Sequence, residues 1–95
     1  MDQVSELGAW LKQGCQRHAV ARVLRKPMTP NEIWQAARGF APRIQLRDVW
    51  FLLRQMQAKE LVQCLNPNAV TGKLFTYSDL GRNVAATAGI TLANP

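Results

Sequence analysis

The chain has 95 residues, enough for one folded domain and too few for two. With 47% hydrophobic and 19% charged residues its composition is that of a globular domain, which excludes a disordered tail. Eight arginines and four lysines against six carboxylates leave a net charge of +6. An arginine-weighted surplus points to nucleic acid, because guanidinium offers phosphates and base edges a planar fork of donors; the plainer alternative is a basic protein whose charge only keeps it dispersed.

Val4 to Lys26 reads as helix, with Leu7, Trp10, Leu11, Ala19, Val20, Val23 and Leu24 at three-to-four spacing. Gly8 and Gly14 weaken it. A break near Gly14 separates a short arm, residues 1–14, from a firmer helix over Cys15 to Arg25 that Pro27 closes. Thr29-Pro30-Asn31-Glu32 is a helix start, with Thr29 as N-cap, Pro30 first and Glu32 third, the capping-box arrangement. Ile33, Trp34, Ala36 and Ala37 give this short helix an apolar face, with Trp34 in the core, and Gly39 ends it.

After a turn at Phe40 to Ile44, Gln45 to Lys59 forms the clearest helix. Leu46, Val49, Leu53 and Met56, with Leu52 at the edge, make one apolar stripe, while Arg47, Phe51, Arg54 and Ala58 fall on roughly the opposite side at about 100° per residue. Trp50 lies at the boundary. Leu61 to Leu65 and Lys73 to Tyr77 are strands flanking a loop rich in Asn, Pro and Gly, hence a β-hairpin, and a third short strand around Met28 is expected to join it. Ser78 and Asp79 cap a last helix to about Ala88, with Leu80, Val84 and Ala88 on one side; residues 89–95 are expected to fray. The expected fold is therefore α+β and mostly helical, a single domain with its core over 15–88.

Cys15 and Cys64 share no paired spacing, so both are read as reduced core or boundary residues, not as a zinc or redox motif. His18 has no ligand partner at metal spacing and is expected on a helix surface. The carboxylates are scattered among caps and turns, and no Gly-rich phosphate loop is present. No enzyme activity, cofactor or metal is expected. Neither a signal peptide nor an apolar run long enough for a membrane helix stands in the sequence, so a cytoplasmic location without membrane association is expected.

Three stretches carry a family resemblance. Met28-Thr29-Pro30-Asn31-Glu32-Ile33 resembles the opening of the second helix of small winged helix-turn-helix transcription regulators, the MarR-like and ArsR-like group. Leu53 to Val62 resembles the passage from their recognition helix into the first wing strand, and Gly72 to Arg82 the second wing strand and entry to the last helix. The likeness spans about Cys15 to Ala88. Glu60 stands where the family commonly has glycine, and Trp50 and Phe51 stand where small polar residues are usual.

The resemblance implies a three-helix core, a β-hairpin wing and a C-terminal helix, with residues 45–59 entering the major groove of double-stranded DNA. Arg47 would then read guanine, Gln45 would meet adenine, and Arg54 would meet phosphate. Arg43, Thr29 and Asn31 are placed for phosphate contacts, the latter two at a helix N-terminus, with Thr29 as a plain N-cap the blander option. Asn68, Thr71 and Lys73 would carry wing contacts. Phe51 is expected to point outward beside Arg47 and Arg54, toward thymine methyls or a protein partner. A homodimer is expected through the arm and the last helix, using Leu7, Trp10, Leu11, Leu80 and Val84. Two other classes stay open: a protein-interaction winged helix within a larger assembly, and an RNA- or single-strand-binding module. The operator, any regulated gene and any effector ligand are not legible.

Overall fold

The computed structural model describes residues 2–92. Its helices are α1 (Gln3–Lys12), α2 (Cys15–Val23), α3 (Pro30–Ala37), α4 (Leu46–Ala58) and α5 (Asp79–Thr87), and its strands are β1 (Val62–Cys64) and β2 (Phe75–Tyr77). The fold is thus α+β, five helices with one antiparallel hairpin among the described residues. The strands pair Val62 with Tyr77, Gln63 with Thr76 and Cys64 with Phe75. Met28 bridges to Phe75, exchanging hydrogen bonds of 2.9 and 2.8 Å, so the third strand expected there is reduced to a single bridge. Among the described residues no helix is long and apolar enough to cross a membrane.

Local chemistry explains the boundaries. Gly14, with φ of 79°, turns the chain between α1 and α2, a conformation that side chains resist. Thr29 and Glu32 close a complete capping box on α3: Glu32 N–H donates to Thr29 Oγ1 at 3.2 Å, and Thr29 N–H donates to Glu32 Oε1 at 3.0 Å. Asp48 accepts from Gln45 N–H at 2.9 Å at the start of α4. The end of α4 is a Schellman turn, in which Leu61 N–H reaches Met56 O and Glu60 N–H reaches Gln57 O, both at 2.9 Å. Glu60 occupies the left-handed position of that turn with φ of 62°.

One core runs through the molecule. Val20, Val23, Leu24, Ile33, Val49, Leu53, Met56, Leu61 and Val84 are fully buried, each worth about 1.5–3 kcal/mol of hydrophobic stabilisation. Residues 3–12 are part of this core and not an arm. Leu7 and Leu11 are buried where α1 packs on α5 and α2, and so is Val84 from the α5 side. These three residues, expected at a dimer surface, are already covered within one chain because a domain this small needs every helix to cover its apolar faces. Leu80 is half-buried against the same core. Trp10, also expected to meet a second copy, lies between two cations of its own chain, Arg17 at 4.1 Å and Lys59 at 4.9 Å from the ring centre.

The tail expectation changes as well. Gly89 has φ of 72°, and Ile90 N–H donates to Ala85 O at 3.0 Å, so α5 ends in a second Schellman turn with Ile90 buried beneath it. Residues 93–95, also assigned to a frayed tail, lie outside the described residues. Cys15 is exposed and not core, its thiol donating to Phe40 O at 3.5 Å, while Cys64 sits at the boundary. Trp34 is half-buried, with its indole N–H donating to Ile44 O at 2.9 Å, which pins the turn before α4. His18 is half-buried on α2.

Candidate nucleic-acid interface

The heptad-like stripe of α4 turns Val49, Leu52, Leu53 and Met56 inward, and the remaining face follows by geometry. Arg47 and Arg54 are exposed on it, and Phe51 between them is 62% exposed. Charge on this face is not neutralised locally. Among the described residues Arg82 pairs with Asp79 at 3.8 Å, while Arg17, Arg22 and Arg38 lie over the rings of Trp10, Phe40 and Trp34. Arg47 and Arg54 make neither kind of contact among those residues. The nearest carboxylate in sequence, Asp48, is engaged with the amide of Gln45.

Beside this face lies a groove of about 390 Å³ that joins three parts of the chain. Thr29, Pro30 and Asn31 come from the start of α3, Leu46 and Trp50 from α4, and Val70 to Lys73 from the hairpin loop. Trp50 packs perpendicular to Phe75, with ring centres 5.9 Å apart, and lines both this groove and a smaller one of about 200 Å³. The smaller groove holds Arg54, Gln57 and Cys64, and Lys73 lines both. Among the described residues no carboxylate lines either groove.

The loop is shaped by Asn66. Its Oδ1 accepts from Leu74 N–H at 2.7 Å, and its Nδ2 donates to Gly72 O at 3.1 Å, which closes the loop across its base. Val70 is left 96% exposed at the groove edge.

Of the residues expected to meet DNA, the fold brings Thr29, Asn31, Thr71 and Lys73 to one groove and Arg54 to its neighbour. Arg47 and Phe51 share the open face of α4. Gln45 is exposed at the helix entrance, with its side chain outside these grooves. Arg43 lines a different pocket, of about 350 Å³, with Cys15, Gln16 and Ile44. Asn68 is exposed but lines none of these pockets. Leu46, Trp50 as a groove wall and the brace at Asn66 were not anticipated; the Asn-Pro-Asn run was the sequence signal for the brace, since Asn side chains close loops onto their own backbone.

The Thr29 hydroxyl lies 3.1 Å from Glu32 Oε1, within reach to donate to it. The Glu32 carboxylate also occupies the positive end of α3, opposing a second anion there. The amide and then the hydroxyl of Thr29 hold the Glu32 carboxyl below its usual range, with Lys26 adding a smaller attraction. Thr29 is thus an N-cap whose hydroxyl is engaged with Glu32 at the start of α3.

No family model, curated protein or solved structure matches this chain. Two exposed arginines on one helix, a lysine on the neighbouring loop and grooves without carboxylates form a surface suited to a polyanion, and the aromatic and amide groups between them suit bases more than bare phosphate.

Proposed function

We propose that this chain is a winged helix-turn-helix and that it binds double-stranded DNA as a regulator of transcription. In this reading α3 and α4 are the helix-turn-helix, α4 enters the major groove, and the hairpin loop is the wing. The observation that carries it is the exposed pair Arg47 and Arg54 on the outer face of α4, unpaired among the described residues while the nearby carboxylates Glu32 and Asp48 serve as caps. Arg47, in the first turn, faces base edges, and Arg54 and Lys73 hold the backbone.

The test is binding to duplex DNA at two salt concentrations. Three cations per chain, Arg47, Arg54 and Lys73, displace counterions, so affinity falls roughly fortyfold between 50 and 200 mM salt for one bound chain. Two chains on neighbouring half-sites double the slope on the logarithmic scale. Binding that ignores salt, or none at low salt, removes duplex DNA from the account.

A second reading is supported by the exposure of Phe51 and Val70. Two apolar side chains beside the cations also suit an acidic protein partner, with this chain as a subunit of a larger assembly.

A further inference from the structure

We propose that the groove between the start of α3, α4 and the hairpin loop takes an unpaired nucleotide of the bound DNA, so that the protein prefers duplexes carrying an unstacked base over fully paired ones. This rests on the nucleic-acid reading above and adds a ligand feature that the open face of α4 does not require.

The lining supplies what such a nucleotide needs. Trp50, Leu46 and Val70 give apolar walls for the faces of a base, and Asn31 brings an amide that both donates and accepts toward a base edge. Lys73, the groove's ionisable side chain, is a cation for the adjoining phosphate, and the nearby Glu32 carboxylate is held by Thr29 and is not among the lining residues. The charge therefore selects an anionic occupant, and the aromatic and amide groups select a nucleotide over a simple phosphate. A volume of about 390 Å³ lies within the usual range for small-ligand sites.

The major groove explains Arg47 and Arg54 but gives no reason for an open recess walled by Trp50 beside them. Taking a base out of a paired stack costs energy that a bulged or overhanging base has already lost, which turns the recess into a preference.

The experiment compares, by fluorescence anisotropy, a blunt duplex with the same duplex carrying one unpaired nucleotide, with 2-aminopurine at that position as a second readout. The expected result is at least tenfold tighter binding of the unpaired form, and a change in 2-aminopurine emission on binding. Val70→Asp places a carboxylate at the groove edge, and because Val70 is 96% exposed the fold tolerates it; the preference then falls toward one, as it does in Asn31→Ala. Equal affinity for the two duplexes, or a preference that survives both substitutions, overturns the inference while leaving duplex binding intact. Binding only to DNA with the unpaired nucleotide sustains it and removes the duplex reading. Binding to neither DNA overturns both.

Discussion

The phenol of Tyr77 donates to the main-chain carbonyl of Ala21 over 2.7 Å, tying β2 to the last turn of α2 inside the core. Carbonyls in a last helical turn lack the next turn's amides, so the phenol serves as a cap supplied from 56 residues away. Tyr77→Phe leaves that carbonyl unsatisfied and is expected to lower stability by about 1–3 kcal/mol, read by urea denaturation. Burial pushes the Tyr77 hydroxyl well above its ordinary value near 10. The folded form thus resists ionisation, so its contribution is intact below that ordinary value and is lost as pH rises toward the raised one. Above pH 10 the parent should lose stability faster than Tyr77→Phe; parallel losses would show that another group controls alkaline unfolding.

The capping box on α3 gives the opposite sign. The Thr29 amide and hydroxyl hold the Glu32 carboxyl below its usual range, so its contribution is present above the ordinary carboxylate value and is lost as pH falls through the lowered one. Thr29→Ala should cost about 0.5–2 kcal/mol near neutral pH, and less in acid. Because the hydroxyl is engaged with Glu32, the same variant should bind DNA as the parent does, measured under conditions where both are folded. A loss of affinity beyond the fraction unfolded would restore Thr29 as a contact.

Glu60 and Gly81 make a matched pair around Leu61. Glu60 holds a left-handed conformation that costs a side chain roughly 1–2 kcal/mol, so Glu60→Gly should raise stability by about 0.5–1 kcal/mol after glycine's own entropy is counted. Gly81 is required for the reverse reason. A Cβ there would overlap the Leu61 carbonyl and lie 2.8 Å from Tyr77 Cδ1, so Gly81→Ala should destabilise by about 1–3 kcal/mol or prevent folding. Thermal melts of the two variants should move in opposite directions.

These elements also mark how far the sequence could be read. The Thr29 to Glu32 box and the hairpin are local patterns that form where their chemistry places them, and so is the α4 stripe apart from Leu46, which is exposed in the first turn while Leu52, expected at the edge, is buried. The role of residues 3–12 was not legible, because Leu7 and Leu11 look the same in sequence whether they face a second copy or α5. What decides between these is the close approach at Gly8, where a Cβ would lie 2.8 Å from that of Ala88, 80 residues later. The candidate interface divides the same way: the outward face of α4 follows from helical spacing, whereas the meeting of Asn31, Trp50 and Lys73 depends on three segments brought together only by folding.

The burial of α1 has its own consequence. Leu11→Ala should cost about 2–5 kcal/mol, the usual range for truncating a fully buried leucine, and Gly8→Ala should destabilise through its contact with Ala88. Removing residues 1–13 should unfold the domain, because α5 would lose its cover. Circular dichroism of the truncated chain checks this. A truncated chain that melts like the parent would show that α1 contributes nothing to the core.

The outer face of α4 can be tested for readout against simple charge. If Arg47 meets a base edge, Arg47→Ala should cost about 1–3 kcal/mol on a preferred site and flatten discrimination among sequences. If Arg54 meets phosphate, Arg54→Ala should weaken all sequences about equally and lower the salt slope by about one. Neither substitution should alter folding, since both side chains are exposed and make no ion pair among the described residues. The contrast between the two patterns is the informative quantity, because a merely basic surface would give two identical losses. Phe51, 62% exposed between them, adds a third measurement. Phe51→Ala should reduce DNA affinity if the ring packs on thymine methyls or sugar edges, and a fall confined to sites with thymine at one position would locate it. Parent-like DNA binding by all three variants, together with loss of a protein contact in Phe51→Ala, would move the face of α4 from DNA to a protein partner.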